Sequence, residues 1–176
     1  MLFRSGRAMA THLIDAGHRH LAYLDSGVDT DFRAHERGAG FADEVKRSGG
    51  RFQLLRASTG DPFDAGRKAL ASLRAAQNRT PPSALACAND HLASGVLMEA
   101  VARGLAVPQD LAVLGFGDFP VGRQLQPALS TVRPPSQEIG RAAAQALVSS
   151  LATGATPTSL ALPWQLIGRA STTASG

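Results

Sequence analysis

Apolar and polar residues follow two different periods along this chain of 176 residues. Apolar residues three or four positions apart predict amphipathic helices, whereas short continuous apolar runs predict buried strands. The helical pattern covers residues 6–16, 32–48, 61–77, 91–104 and 137–154. The strand pattern covers residues 20–26, 52–57, 84–88 and 111–116. Pro163 limits the closing segment, 159–172, to an edge strand at best.

Glycines and short polar residues mark the ends of the predicted helices. Gly17 is placed to end the first helix, and Asp61 is placed to cap the third. Either Asn89 or Asp90 caps the fourth helix, and Ser136 is the expected cap of the last one. These signals divide the chain into short elements of alternating type.

Strands and helices alternate throughout the chain, and this order predicts an α/β fold with a parallel sheet flanked by helices. Ligands of such sheets bind outside the carboxyl ends of the strands. Three predicted strands end in polar, turn-prone residues, namely 25–33 (DSGVDTDFR), 87–91 (CANDH) and 115–120 (GFGDFP). We expect these three segments to meet at one edge of the sheet.

Composition and charge narrow the class of protein. Hydrophobic residues make up 44% of the chain and charged residues 18%, with no apolar run of membrane length. The net charge of +4 is scattered, so the chain shows no concentrated surface for nucleic acid. Residues 1–20 lack the apolar core of a secretory signal, and the single cysteine, Cys87, suits a reducing compartment. Both features favour the cytoplasm.

Two groups of residues could carry enzymatic chemistry, and each has a structural alternative. Asp25, Asp90 and Asp118 follow strands and could form a carboxylate cluster, but capping and turn formation explain them better. His18 and His20 could share a strand face and bind a metal, or they could lie in a solvated turn. No nucleophile motif or phosphate-binding loop is present, so we predict no enzyme, no cofactor and no metal.

A binding site is the stronger interpretation of the strand ends. Asn89 offers a donor and an acceptor suited to a pair of hydroxyl groups. Arg37 offers a planar fork for a carboxylate, with a solvated helix residue as its alternative. Phe63, at a helix start, could stack on a small ligand or serve as a core residue.

Several blocks of the chain resemble the effector-binding core of lac-repressor/galactose-repressor regulators. The resemblance runs in order from about Gly6 to Thr172. Its most specific blocks are CAND (87–90), VPQDLAVLGF (107–116) and PALSTVRPP (127–135), and the closing block is LIGRAST (166–172).

The resemblance implies the C-terminal subdomain of a type I periplasmic-binding-protein-like fold. Residues 1–133 would form this subdomain, 134–158 a helix that crosses into an N-subdomain absent from this chain, and 159–176 a returning strand and tail. It implies the effector-binding and dimerisation core of a bacterial-type repressor of sugar or sugar-acid metabolism, which binds operator DNA only through an N-terminal domain not present here. A free-standing sugar-binding protein and a small α/β enzyme remain the alternatives.

The resemblance also implies an effector site. Its residues would be Arg37, Phe63, Asn89, Asp90, Gly117 and Asp118. The family commonly has an acid where this chain has Gly117, and the Gly-Phe-Gly-Asp form resembles the gluconate-repressor branch. Losing one carboxylate would favour an anionic effector such as gluconate.

The family forms homodimers through this subdomain, which gives candidate interface residues. They are Leu92, Val96, Leu97, Ala100, Phe119, Val121 and Leu125. Burial against the chain's own sheet is the alternative for the helical ones. Ile139, Ala143, Leu147 and Leu151 form an apolar stripe on the last helix, and we expect it to pack on this subdomain or on a neighbouring chain.

Overall fold

The computed structural model describes residues 2–58, 60–75, 80–154, 156 and 159–173. The helices are α1 (Leu2–Asp15), α2 (Phe32–Arg47), α3 (Pro62–Ala75), α4 (Asp90–Ala102), α5 (Pro120–Gln124) and α6 (Ser136–Thr153). The strands are β1 (His20–Asp25), β2 (Arg51–Arg56), β3 (Ala84–Cys87), β4 (Ala112–Phe116), β5 (Ser130–Arg133) and β6 (Gln165–Ile167). Over these ranges, no helix combines the length and the apolar character needed to cross a bilayer.

The six strands form one sheet in the order β2-β1-β3-β4-β5-β6. Neighbouring strands from β2 to β5 run parallel, and β6 pairs antiparallel with β5 at the sheet edge. The predicted α/β fold with a mainly parallel sheet is confirmed. β6 begins two residues after Pro163 and lies at the edge of the sheet, in agreement with the prediction of an edge strand in this segment.

Two pairs of helices pack closely because glycines lie at their crossings. In the first pair, α1 and α2, a Cβ atom on Gly6 would lie 2.0 Å from the Arg37 carbonyl oxygen. In the second pair, α3 and α4, a Cβ atom on Gly95 would lie 2.0 Å from the Phe63 carbonyl oxygen. Both pairs therefore approach at backbone distance, which fixes the helices that bear Arg37 and Phe63.

The caps agree with the sequence at two helices and differ at a third. Asp64 N–H donates to the Asp61 carboxylate at 3.0 Å, and Leu92 N–H donates to the Asn89 side-chain oxygen at 3.0 Å. Ser136 is the first residue of α6 instead of its cap, and the position before it is Pro135. The predicted end of the third helix, at residue 77, lies outside the described residues.

The predicted dimer surface on α4 is wrong. Four of the candidate residues are fully buried in the chain's own core: Leu92, Val96, Leu97 and Ala100. They pack against the sheet because β3 and β4 present apolar faces there, which is the alternative that the sequence left open. Met98 and Val101 are the exposed apolar residues of this helix.

The apolar stripe of α6 is not covered by the described residues of this chain, which leaves packing on a neighbouring chain as the other outcome that the sequence allowed. No residue of α6 is buried, and Leu151 is 80% exposed. The segment around Leu160 and Leu162 lies beside α6 but leaves a cavity of about 580 Å³ between them. Packing on a neighbouring chain stays a prediction.

Candidate functional site

Arg37 joins the carboxyl ends of the two central strands β3 and β4. Its Nη2 donates to the Ala88 carbonyl oxygen at 2.7 Å, just after β3. Its guanidinium carbon lies 4.1 Å from the centre of the Phe116 ring, at the end of β4. Arg37 is only 6% exposed, so α2 holds this charge at the sheet edge in a fixed position.

The charge of Arg37 lacks a carboxylate partner among the described residues. Its Nε is buried and has no hydrogen-bond partner in that part of the chain. The neighbouring Tyr23 hydroxyl donates to the Ala34 carbonyl oxygen at 3.0 Å, and burial raises the pKa of this phenol, so Tyr23 stays neutral. A buried guanidinium with a spare donor favours a ligand that brings an anion or an oxygen acceptor.

Asn89 lies next to Ala88, the residue to which Arg37 donates. Its side-chain oxygen accepts from Leu92 N–H and caps α4. The side-chain NH₂ group of Asn89 is therefore the group that can donate a hydrogen bond to a ligand. The structure refines the sequence prediction, which had assigned both a donor and an acceptor of Asn89 to the ligand.

Asp90 is fully buried and supports the turn after β4. Thr131 Oγ1 donates to one carboxylate oxygen at 2.6 Å, and Phe119 N–H donates to the other at 2.7 Å. Burial raises the pKa of Asp90, and these two hydrogen bonds oppose that rise. Because both oxygens are occupied and out of reach of solvent, the predicted contact between Asp90 and an effector is wrong.

Asp118 is also buried, but it is surrounded by positive charge. Arg123, Arg133 and Arg169 donate to its carboxylate at 2.7, 2.6 and 2.6 Å. Burial by itself would raise the pKa of Asp118, but the three arginines outweigh it and lower the pKa to about 2. The carboxylate is therefore ionised and committed to these arginines. Its predicted contact with an effector stays a prediction.

Gly117 holds a backbone conformation that side chains rarely adopt, with φ at 133°. A Cβ atom there would lie 2.9 Å from the Phe119 ring. Gly117 and Asp118 line a cavity of about 560 Å³ between the end of β4, the start of α6 and the segment before β6. The residue that replaces the family's acid therefore borders open space.

Three rings form a row beside this edge. The Phe63 and His91 ring centres are 5.1 Å apart, and those of His91 and Phe119 are 4.7 Å apart. Phe63 is half-buried, so it is both packed and partly accessible. The sequence did not single out His91, although its place in the first turn of α4 put it at the strand end.

The residues that the sequence offered for a carboxylate cluster or a metal site have other partners in the structure. Asp25 accepts from Gly27 N–H at 3.0 Å and lies 3.5 Å from His35 Nε2, near the outer strands. His18 Nδ1 lies 2.9 Å from Ser83 Oγ. Within the described part of the chain, no three His, Cys, Asp or Glu side chains form a group that could hold a metal ion.

The comparisons with known proteins agree with this fold. A family model described as the periplasmic binding protein-like domain matches residues 10–172. The HTH-type transcriptional regulator GntR of Pseudomonas aeruginosa is 38% identical over 151 residues, covering 85% of this chain and 43% of that protein. The chain thus spans less than half the length of the curated relatives it matches.

Two solved structures show the same architecture. The transcription regulator GntR from Chromobacterium violaceum matches with a TM-score of 0.84 and 31% identity, over 97% of this chain and 63% of that one. A LacI family transcriptional regulator from Arthrobacter sp. FB24, in complex with lactose, matches with a TM-score of 0.82 and 30% identity, over 98% of this chain and 65% of that one.

These findings define the class first: a periplasmic binding protein-like α/β domain built on a mainly parallel sheet. Within that class, the chain belongs to the lac-repressor/galactose-repressor family of transcriptional regulators. Its relatives are regulators and not enzymes.

Proposed function

We propose that the chain is the effector-binding and dimerisation core of a bacterial-type repressor of sugar or sugar-acid metabolism. The effector is a small hydroxylated molecule, with gluconate as the first candidate. Operator DNA is bound by a part of the regulator outside these 176 residues, and the protein works in the cytoplasm, where that DNA lies.

The observation that carries this proposal is the position of Arg37. It donates to Ala88 beside Asn89 and stacks on Phe116 beside Gly117, so three predicted site residues meet at one edge. A fixed guanidinium, an amide NH₂ and a bordering cavity are suited to hold a polyhydroxylated molecule. None of these groups is a nucleophile or a general base, which supports binding without conversion.

The effector acts by preferring one conformation of the complete regulator. A ligand shifts a conformational equilibrium only by its difference in affinity for the two states. One wall of the cleft is the edge described above, and the opposite wall belongs to a second subdomain. Closing the two walls on the effector changes the spacing of the DNA-binding parts.

A sugar acid fits the site better than a neutral sugar. Gly117 removes a carboxylate where the family commonly has one, and this removal lowers the repulsion against an anion. The Gly-Phe-Gly-Asp form of residues 115–118 resembles the gluconate-repressor branch of the family, and the similarity to the GntR relatives supports that assignment.

The homodimer rests on the segment Phe119–Leu125, of which Phe119, Val121 and Leu125 are partly exposed. Sedimentation of the chain should give the mass of a dimer. A monomer at all concentrations would contradict this part of the proposal.

A thermal-shift screen tests the effector proposal. Ligands that bind the native state raise its unfolding temperature, so gluconate should stabilise the chain. The variant Arg37→Gln should lose most of this stabilisation because it removes the fixed charge. Arg47→Gln is the matched control, since Arg47 lies at the exposed end of the same helix and pairs with Glu44.

Two results would contradict the proposal. One is equal stabilisation of Arg37→Gln and the unchanged chain by gluconate. The other is conversion of gluconate into a product, with a rate that Asp118→Asn abolishes.

A further inference from the structure

Positive charge exceeds negative charge around Asp118. The arginine cluster (Arg123, Arg133 and Arg169) places three guanidinium groups on this single carboxylate. One carboxylate neutralises one of them, so the cluster keeps an excess of positive charge. Like charges held this close repel each other, and a further anion would relieve that repulsion.

The three arginines have different environments. Arg169 is mostly buried, and its Nη1 also donates to the Leu129 carbonyl oxygen at 2.6 Å, so it is part of the framework. The side chains of Arg123 and Arg133 are 51% and 44% exposed, and both line the 560 Å³ cavity. These two arginines are therefore the ones that a ligand can reach.

The rest of the cavity lining suits an oxyanion on a hydroxylated molecule. Ser136, Gln137 and Gln165 supply neutral donors and acceptors for hydroxyl groups. Glu138 is the second carboxylate of the lining, so the lining itself has two arginines and two carboxylates, and the excess of positive charge comes from Arg169 behind it. Two guanidinium groups can bind one carboxylate or phosphate through charge-assisted hydrogen bonds.

Gly117 connects this cavity to the edge that bears Arg37. It lines the cavity and directly follows Phe116, the ring beneath the Arg37 guanidinium. Because a glycine stands at this position, no carboxylate lies there between Arg37 and the arginine cluster.

We propose that Arg123 and Arg133 bind the oxyanion of the effector in this cavity and thereby select anionic over neutral sugars. This proposal rests on the proposed function, and it adds two specificity-determining residues to that site. Gluconate would present a carboxylate and a sugar phosphate would present a phosphate, and guanidinium groups bind both oxyanions through charge-assisted hydrogen bonds.

Amide NMR of the chain tests the proposal with three probes: gluconate, glucose 6-phosphate and glucose. The amides of Gly117 and Ser136 should shift with at least one anionic probe at millimolar concentration. The anionic probe that binds more tightly identifies the source of the oxyanion. Glucose should bind at least about tenfold more weakly, as expected when a charge-assisted hydrogen bond is missing.

Single substitutions separate this role from general destabilisation. Arg133→Gln and Arg123→Gln should each weaken binding of the anionic probe about tenfold and leave binding of glucose unchanged. Arg103→Gln is the matched control, because Arg103 is 42% exposed and pairs with Glu99 on α4, away from the cavity. Arg123→Gln keeps the test valid if Arg133→Gln does not fold.

Equal affinity for gluconate, glucose 6-phosphate and glucose would overturn the proposal, as would unchanged affinity in both variants. The proposed function would survive those results if binding still required Arg37. Absence of any amide shift with all three probes would contradict both proposals.

Discussion

At the scale of single residues, two carboxylates only 28 positions apart have opposite environments. Asp90 is buried with two neutral donors, and its pKa is raised chiefly by burial. Asp118 is buried with three arginines, and its pKa is lowered to about 2. The difference comes from the partners, since both side chains are removed from water.

The low pKa of Asp118 predicts a pH dependence of stability. A folded-state pKa of about 2, below the usual aspartate value of about 4, means that the folded state holds this proton less tightly than the unfolded state. The stabilisation, about 2 kcal/mol, is therefore complete above pH about 4 and lost as the pH falls to about 2. Urea unfolding between these pH values should show this loss.

Asp118→Asn provides the control for that measurement. The variant should be less stable than the unchanged chain at neutral pH, because three arginines lose their carboxylate. The difference between the two proteins should shrink as the pH falls. A difference that stays constant from pH about 4 to about 2 would contradict the account.

At the scale of the elements, α4 packs one face in the core and exposes the other to solvent. Leu97 lies in the core, whereas Met98 is the exposed neighbour on the outer side. Leu97→Ala should lower the free energy of unfolding by about 2–5 kcal/mol, because it removes buried methyl groups and leaves a cavity. Met98→Ala should change it by less than about 1 kcal/mol. Chemical denaturation of both variants measures this contrast.

Similar losses in both α4 variants would show that the outer face is also packed. Unchanged stability of Leu97→Ala would mean that α4 does not lie on the sheet as described.

The sequence predicted those elements whose periodicity is strong. β1, β3 and β4 are short apolar runs, and they form the buried centre of the sheet. β5 was missed because Ser130 and Thr131 look like loop residues. They are buried between β4 and β6, where Ser130 N–H donates to Ser171 Oγ at 2.8 Å and Thr131 Oγ1 donates to Asp90. Such long-range hydrogen bonds leave no local pattern.

The order of the strands also explains which residues of the candidate site could be predicted from the sequence. Asn89 lies two residues after β3 and Gly117 directly after β4, so the parallel order of the sheet is enough to bring them to one edge. The arginine cluster comes from α5, β5 and the segment after β6, and neither spacing nor composition indicates that these residues meet. The burial of Asp90 likewise depends on Gly115, where a Cβ atom would lie 2.1 Å from the carboxylate.

At the scale of the whole molecule, the described edge is the wall that we propose for an effector site. Arg37 from α2 meets the segments that bear Asn89 and Gly117 at the carboxyl ends of β3 and β4, and the apolar stripe of α6 is exposed. An exposed apolar stripe marks a contact surface. Both features fit a chain that works as part of a larger regulator, in which binding energy is converted into a change of conformation.

A crystal structure of the chain with gluconate tests the central claim most directly. The account predicts unmodified gluconate at the carboxyl ends of β3 and β4, with Arg37 or Asn89 in hydrogen-bond contact and the ligand next to Gly117. Gluconate bound elsewhere on the molecule, or found as a reaction product at this edge, would contradict it.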